Sequence, residues 1–282
     1  MSWFSEVADR VWVARHEWCD VNLSVIEGTT GLLVVDTLGS GAAAREAIAE
    51  VRRLSSLPVV EIVNTHAHFD HFMGNAAFRG SWKDVPITAH ESAAEQMASV
   101  GASAKRSATL ESDPRFADLA ATPVLAAETT FSSVRTIDLG ERSVELVHPG
   151  RGHTGGDLVV RIEDADVLLA GDLLEEASTP VYGEDCYPMD WPSSLDLVLS
   201  LTGSETLIVP GHGAPVNRDF ATEQRSAIGV VAETIRDLAG RGVPLSQALA
   251  AAEWPYPAES LAEAVRRGYE QLPRMARQLP LI

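Results

Sequence analysis

Hydrophobic and polar positions change period along the chain and divide it into strands and helices. Residues 7–14 form a short apolar run and residues 21–27 alternate, so each predicts a strand. The turn Gly28-Thr29-Thr30-Gly31 then leads to an apolar run at 32–36, the third strand of a meander. Residues 39–56 carry Ala, Ile, Val and Leu at helical spacing with charges on the other face, and 58–63 is a β-branched strand that stops at Asn64. A short strand at 86–89 and a helix at 91–100 follow. Residues 101–130, rich in Ala, Ser and Thr, predict a partly helical excursion that could serve as a lid. Strands are expected at 134–139, 143–148, 157–162, 167–170 and 206–209, with a helix at 192–201 between the last two. Three helical segments close the chain at 218–241, 245–252 and 258–271. Strands and helices mixed in two passes predict an α/β fold with two sheets between helical layers. The expected division is a main unit at 1–217 and C-terminal helices at 218–282 packed on the same domain. A homodimer interface is the alternative use of the apolar faces of those helices.

Composition narrows the function. The 282 residues carry 22 basic and 40 acidic side chains, a formal charge of −18. A chain of this length buries a large core without disulfides. The negative balance argues against a nucleic-acid partner, whose recognition relies on clustered Lys and Arg. Lys83 and Lys105 are the only lysines, so there is no polybasic patch for a membrane surface. Cys19 and Cys186 form no CxxC pattern and read as packing residues. The first ten residues lack the basic and apolar stretches of a secretory signal, and no apolar run reaches the length of a membrane span. A cytoplasmic protein acting on a small molecule is the expectation.

Three of the eight histidines fall within six positions, in Thr65-His66-Ala67-His68-Phe69-Asp70-His71. Residues two apart at a strand end project to one side, so His66 and His68 can grip one ion. Asp70 and His71 then fall on the turn beyond, placed for a second ion. Further candidates sit at strand ends beside glycines: His153 in Gly152-His153-Thr154-Gly155-Gly156, Asp172 in Ala170-Gly171-Asp172, and His212 in Pro210-Gly211-His212-Gly213. Five histidines and two aspartates would converge on one edge. Singly, each of the last three is also an ordinary loop residue. His16, His90 and His148 read as structural or solvent-facing. Tyr182 and Tyr187, in the loop after Asp172, read as packing residues or as donors to a developing oxyanion.

Taken in chain order, these motifs resemble the metallo-β-lactamase superfamily over roughly residues 7–216. The resemblance implies an αββα four-layer sandwich with a C-terminal helical extension and a metal site at the open edge of the sheets. It implies that His66, His68 and His153 hold a first metal, Asp70, His71 and His212 a second, and that Asp172 bridges them. Asp36 matches the family's supporting aspartate. The residue at the bridging position separates branches: lactamases proper carry Cys or Ser there, whereas aspartate is similar to hydroxyacylglutathione hydrolases, lactonases and phosphodiesterase-type members. His68 stands where the flavodiiron branch has glutamate.

The implied activity is that of a dinuclear hydrolase with two divalent ions, zinc foremost and iron or manganese the other candidates, cleaving a small ester, thioester or lactone. Two such ions about 3.5–4 Å apart share a bridging hydroxide, and Asp70 orients that nucleophile or passes a proton to the leaving group. Ligation needs neutral imidazoles, so metal should be lost as pH falls through the histidine range. An iron-dependent persulfide dioxygenase of the same fold and a non-catalytic scaffold are the competing readings.

Overall fold

The computed structural model describes residues 3–272. The last ten residues of the 218–282 segment and the first two of 1–217 lie outside the described residues.

An N-terminal hairpin, β1 (Phe4–Ala8) and β2 (Val11–His16), leads into β3 (Val21–Glu27) and β4 (Leu32–Val35). The apolar run at 7–14, expected as one strand, is split by Arg10, whose positive φ of 53° turns the chain. Helix α1 (Gly41–Leu54) starts where Ser40 accepts the Ala43 N–H, and β5 (Val59–Val63) returns parallel to β4. Two short helices absent from the periodicity reading follow, α2 (Phe69–Phe72) and α3 (Asn75–Ser81). Then come β6 (Ile87–His90) and α4 (Glu91–Ala108), which runs eight residues past its predicted end.

Helix α5 (Pro114–Ala121) and β7 (Thr129–Phe131) complete the 101–130 segment. Ala108 and Leu119 are buried in the core shared with α1 and α4, so this segment belongs to the helical layer and is no lid. The second half holds β8 (Val134–Asp138), β9 (Ser143–Val147), β10 (Val159–Ile162), β11 (Val167–Glu175), α6 (Trp191–Ser200) and β12 (Leu207–His212). Helices α7 (Arg218–Gly240), α8 (Leu245–Ala248) and α9 (Ala262–Gln271) follow, with single 3-10 turns before α9 and after α8.

The strands run in the order β7-β6-β5-β4-β3-β12-β11-β10-β9-β8, with β1 and β2 continuing from β3. Only His212 opposite Val21 pairs β12 with β3, so the sheet folds at that line into two halves. Period-2 alternation assigns its faces. Leu33 and Val35 meet Val167 and Leu169 in an apolar layer between the halves. Leu32 and Val34 instead face α1 and α4, while Leu168 and Ala170 face α6, α7 and α9. Three apolar layers therefore separate four structural ones, which is the αββα arrangement. The C-terminal helices contribute Ile228, Ile235, Leu261 and Val265 to the outer core of the second half.

Candidate metal centre

The fold line places strand ends from both halves side by side. Strand β5 stops at Val63, and the bend after it carries His66 and His68, with Asp70 and His71 on α2. His153 comes from the β9–β10 loop. Asp172 lies inside β11 and His212 is the last residue of β12, where the sequence predicted loops beyond strand ends. Strand β11 continues past Gly171, whose φ of 53° is left-handed, and that kink turns the Asp172 carboxylate out of the sheet.

All seven predicted ligands come together in two groups. Ligand atoms of His66, His68, His153 and Asp172 lie within 4.8 Å of one another, as do those of Asp70, His71 and His212. Asp172 stands between the groups: its Oδ2 is 3.6 Å from His66 Nε2, 3.4 Å from His153 Nε2 and 3.2 Å from His212 Nε2. Its Oδ1 is 3.2 Å from His71 Nε2. Asp70 Oδ2 lies 3.5 Å from His212 Nε2 and 3.8 Å from His71 Nε2.

Four of the five imidazoles turn Nδ1 outward and present Nε2 to the cluster. His71 Nδ1–H donates to Asp36 at 2.7 Å, His153 Nδ1–H to the Val181 carbonyl at 2.9 Å, and His212 Nδ1–H to the Cys19 carbonyl at 2.7 Å. The Thr65 hydroxyl donates to Asp36 and accepts from His66 Nδ1 at 3.1 Å. His68 is reversed: its Nε2–H points at Asp185, and its Nδ1 lies 2.8 Å from His153 Nε2. Each ring thus anchors its outer nitrogen on an oxygen and leaves its inner nitrogen facing the cluster.

Metal ions fit this donor set. His66 Nε2 is fully buried with no hydrogen-bond partner, a polar atom that an ion would satisfy. His71 and His212 present Nε2 atoms 3.3 Å apart, close to the roughly 3.3 Å between two nitrogens on one tetrahedral ion at 2.0–2.1 Å.

Charge follows the same logic. Burial and neighbouring imidazoles push His66 well below its ordinary value, and burial with His68 lowers His153 to about 4. Burial also opposes charge on His71 and His212, yet Asp172, helped by Asp36 and Asp70 at His71, raises His71 well above normal and His212 to about 9. Burial would raise Asp172, but His71, His212 and His66 outweigh it and hold the carboxylate well below its usual range. In the metal-free protein, protons therefore sit on His71 and His212 where cations would be held.

Two consequences follow, with opposite directions in pH. The raised imidazoles stabilise the metal-free fold fully below their unfolded value near 6.5; the His212 contribution is lost as pH rises through about 9, and that of His71 as pH rises through its own raised value. Metal must displace these protons, so affinity rises up to tenfold per pH unit for each proton displaced, up to about pH 9. Zinc titrated calorimetrically at pH 7.5 in two buffers of different ionisation heat should show proton release. Equal heats in both buffers contradict this.

Asp36, with a left-handed φ of 64° at the end of β4, accepts the Thr65 N–H and hydroxyl, both at 2.8 Å, as well as His71. It fixes the loop that carries the string. Gly211 is pressed against Asp172: a Cβ there would overlap Asp172 Oδ1. Gly211→Ala should therefore displace the Asp172 carboxylate and lower metal affinity by about 10–100-fold while removing no donor, measurable by chelator competition. Unchanged affinity would mean that the carboxylate position is not critical.

The cleft above the donors has a volume of about 570 Å³ and is lined by His68, Asp70, His153, Asp172 and His212 together with Cys19, Asp20, Phe69, Glu175, Ala177, Ser178 and Val181. Sequence reasoning missed three contributors. Glu175 brings a carboxylate within reach of Asp172 and His212, and burial raises its pKa to about 7. Asp157 holds the His153 loop by accepting the Thr154 N–H and hydroxyl. Asp185 partners His68. No spacing rule marks Asp185 or Glu175; Asp157 carries a weak signal in its place directly after Gly155-Gly156.

Other candidates fall outside the cluster. His90 and His148 stack on each other at 3.8 Å between ring centroids, and His16 packs beside Trp3. Tyr182 is buried against Trp191, and Tyr187 lies between the guanidinium groups of Arg151 and Arg267. Neither tyrosine lines the cleft. Burial pushes Cys19 and Cys186 up to about 12, so neither offers a thiolate. No helix among the described residues is long and apolar enough to cross a membrane.

The metallo-beta-lactamase superfamily model matches residues 16–212. A metallo-beta-lactamase type 2 from Bacillus cereus is 29% identical over 217 residues, spanning 74% of this chain and 75% of its own. A metallo-beta-lactamase structure from Pontibacter korlensis superposes with a TM-score of 0.65 at 19% identity, over 80% of this chain and 98% of that one. A stereoselective inverting sec-alkylsulfatase from Pseudomonas sp. superposes with a TM-score of 0.73 at 19% identity, over 96% of this chain and 50% of that one.

Proposed function

Since the chain belongs to the metallo-β-lactamase superfamily, we propose that it is a dinuclear, zinc-dependent hydrolase that cleaves a small ester, thioester or lactone. The observation that carries this reading is the pair of donor groups with Asp172 between them and every imidazole turned to present one nitrogen inward. His66, His68 and His153 would hold one ion, Asp70, His71 and His212 the other, and Asp172 both. When bound, two such ions supply Lewis acidity and a nucleophile at neutral pH.

The chain's own residues supply positioning. Asp36 and the Cys19 carbonyl hold His71 and His212, while Phe69, Ala177 and Val181 give the cleft an apolar wall for the body of a small substrate. Asp70 borders the same cleft beside His212, where its carboxylate can orient a nucleophile or take a proton. Aspartate at position 172 favours esters and lactones over β-lactams.

A panel of lactones, thioesters, aryl esters, β-lactams and phosphodiesters tests the proposal. Turnover of a lactone or ester, lost on chelation and restored by zinc, is the expected result. Hydrolysis that persists in metal-stripped protein, or that is confined to phosphodiesters, overturns it.

A further inference from the structure

The outer partners of four of the five histidines divide between two parts of the chain, while the fifth ring, His66, is held by Thr65, which rests on Asp36. His71 and His212 are anchored on Asp36 and the Cys19 carbonyl, which belong to the first half of the chain. His153 and His68 are anchored on the Val181 carbonyl and on Asp185, both in the loop that joins β11 to α6. That loop also supplies Ala177, Ser178 and Val181 to the cleft wall. The contact to Asp185 is the exposed one. His68 is the least buried of the five rings, with 25% of its side chain accessible, and Asp185 keeps 32%. Its carboxylate oxygens lie 3.3 and 3.4 Å from His68 Nε2, so Asp185 selects the tautomer that turns Nδ1 inward.

We propose that Asp185 is a positioning residue for the metal held by His66, His68 and His153, and that the β11–α6 loop clamps this ion alone, whereas Asp36 reaches both ions, one through His71 and the other through Thr65 and His66. The inference rests on the dinuclear reading above. A carboxylate behind a ligating imidazole raises its basicity and fixes its ring, and losing one costs about 10–100-fold in metal affinity. Because this carboxylate reaches only one of the two donor groups, the cost falls on one ion.

The test is stepwise zinc binding to the full-length protein, measured against a competing chelator, with the cobalt absorption spectrum as a second readout. Asp185→Asn should weaken one of the two binding steps by about 10–100-fold and alter the cobalt bands of that step, whereas Asp36→Asn should weaken both. Asp185→Glu should recover part of the loss. Gly183→Ala should resemble Asp185→Asn, because a Cβ there would stand 2.8 Å from Asp185 Oδ1 and displace it. Asp185→Asn weakening both steps equally, or neither, overturns the proposal while leaving the hydrolase reading intact. A wild-type protein that takes up no zinc overturns that reading and this inference with it.

Discussion

Replacing Asp172 by Ala should reduce bound metal from two ions per chain toward one and lower turnover by at least about 10²-fold. The carboxylate lies within 3.6 Å of donors from both clusters, facing His66 and His153 on one side and His71 and His212 on the other. Its loss also reaches the metal-free protein. His71 and His212 are charged there because Asp172 faces them, and a buried cation that loses its partner costs about 3–5 kcal/mol. Below pH 6.5 the metal-free variant should therefore unfold at markedly lower urea, whereas the deficit should shrink as pH rises through 9, where His212 is neutral. His148→Ala is the control: that ring stacks on His90 and donates to the Asp157 carbonyl, away from the cluster. Equal metal loss in both variants would mean that the ligand set is misassigned.

The second large effect is expected at Asp36, which touches neither cleft nor substrate. Asp36→Ala leaves three buried donors without an acceptor: the Thr65 N–H, the Thr65 hydroxyl and His71 Nδ1–H. Each orphaned donor costs about 1–3 kcal/mol, so a loss of about 3 kcal/mol or more should appear in urea unfolding of the metal-free protein. Metal affinity should fall by about 10–100-fold as well, because His71 loses the group that fixes its ring. A loss under about 1 kcal/mol would show that Thr65 and His71 find other partners.

The legible parts of the sequence share a physical origin. Strand β3 and helix α7 are readable because their apolar positions repeat at 2 and 3.6 residues, and burial of one face imposes that repeat. The split of residues 7–14 into a hairpin rests on one backbone angle at Arg10, which hydrophobicity does not record. Helix α2 is too short for a period, and its polar residues face the cluster instead of solvent. The family's ligands were visible because one string holds four of them and the others flank glycines. Asp185 and the carbonyls of Val181 and Cys19 were not, since they meet His68, His153 and His212 only through tertiary packing. The strand boundaries at Asp172 and His212 were missed for a related reason: β11 and β12 run on together past a left-handed glycine that reads as a turn.

The central claim is that this cluster holds two zinc ions, and metal analysis of the purified, untagged protein by inductively coupled plasma mass spectrometry tests it most directly. The account predicts close to two zinc per chain, falling toward one in Asp172→Ala. Close to one iron per chain, or no metal after reconstitution with zinc, would contradict it.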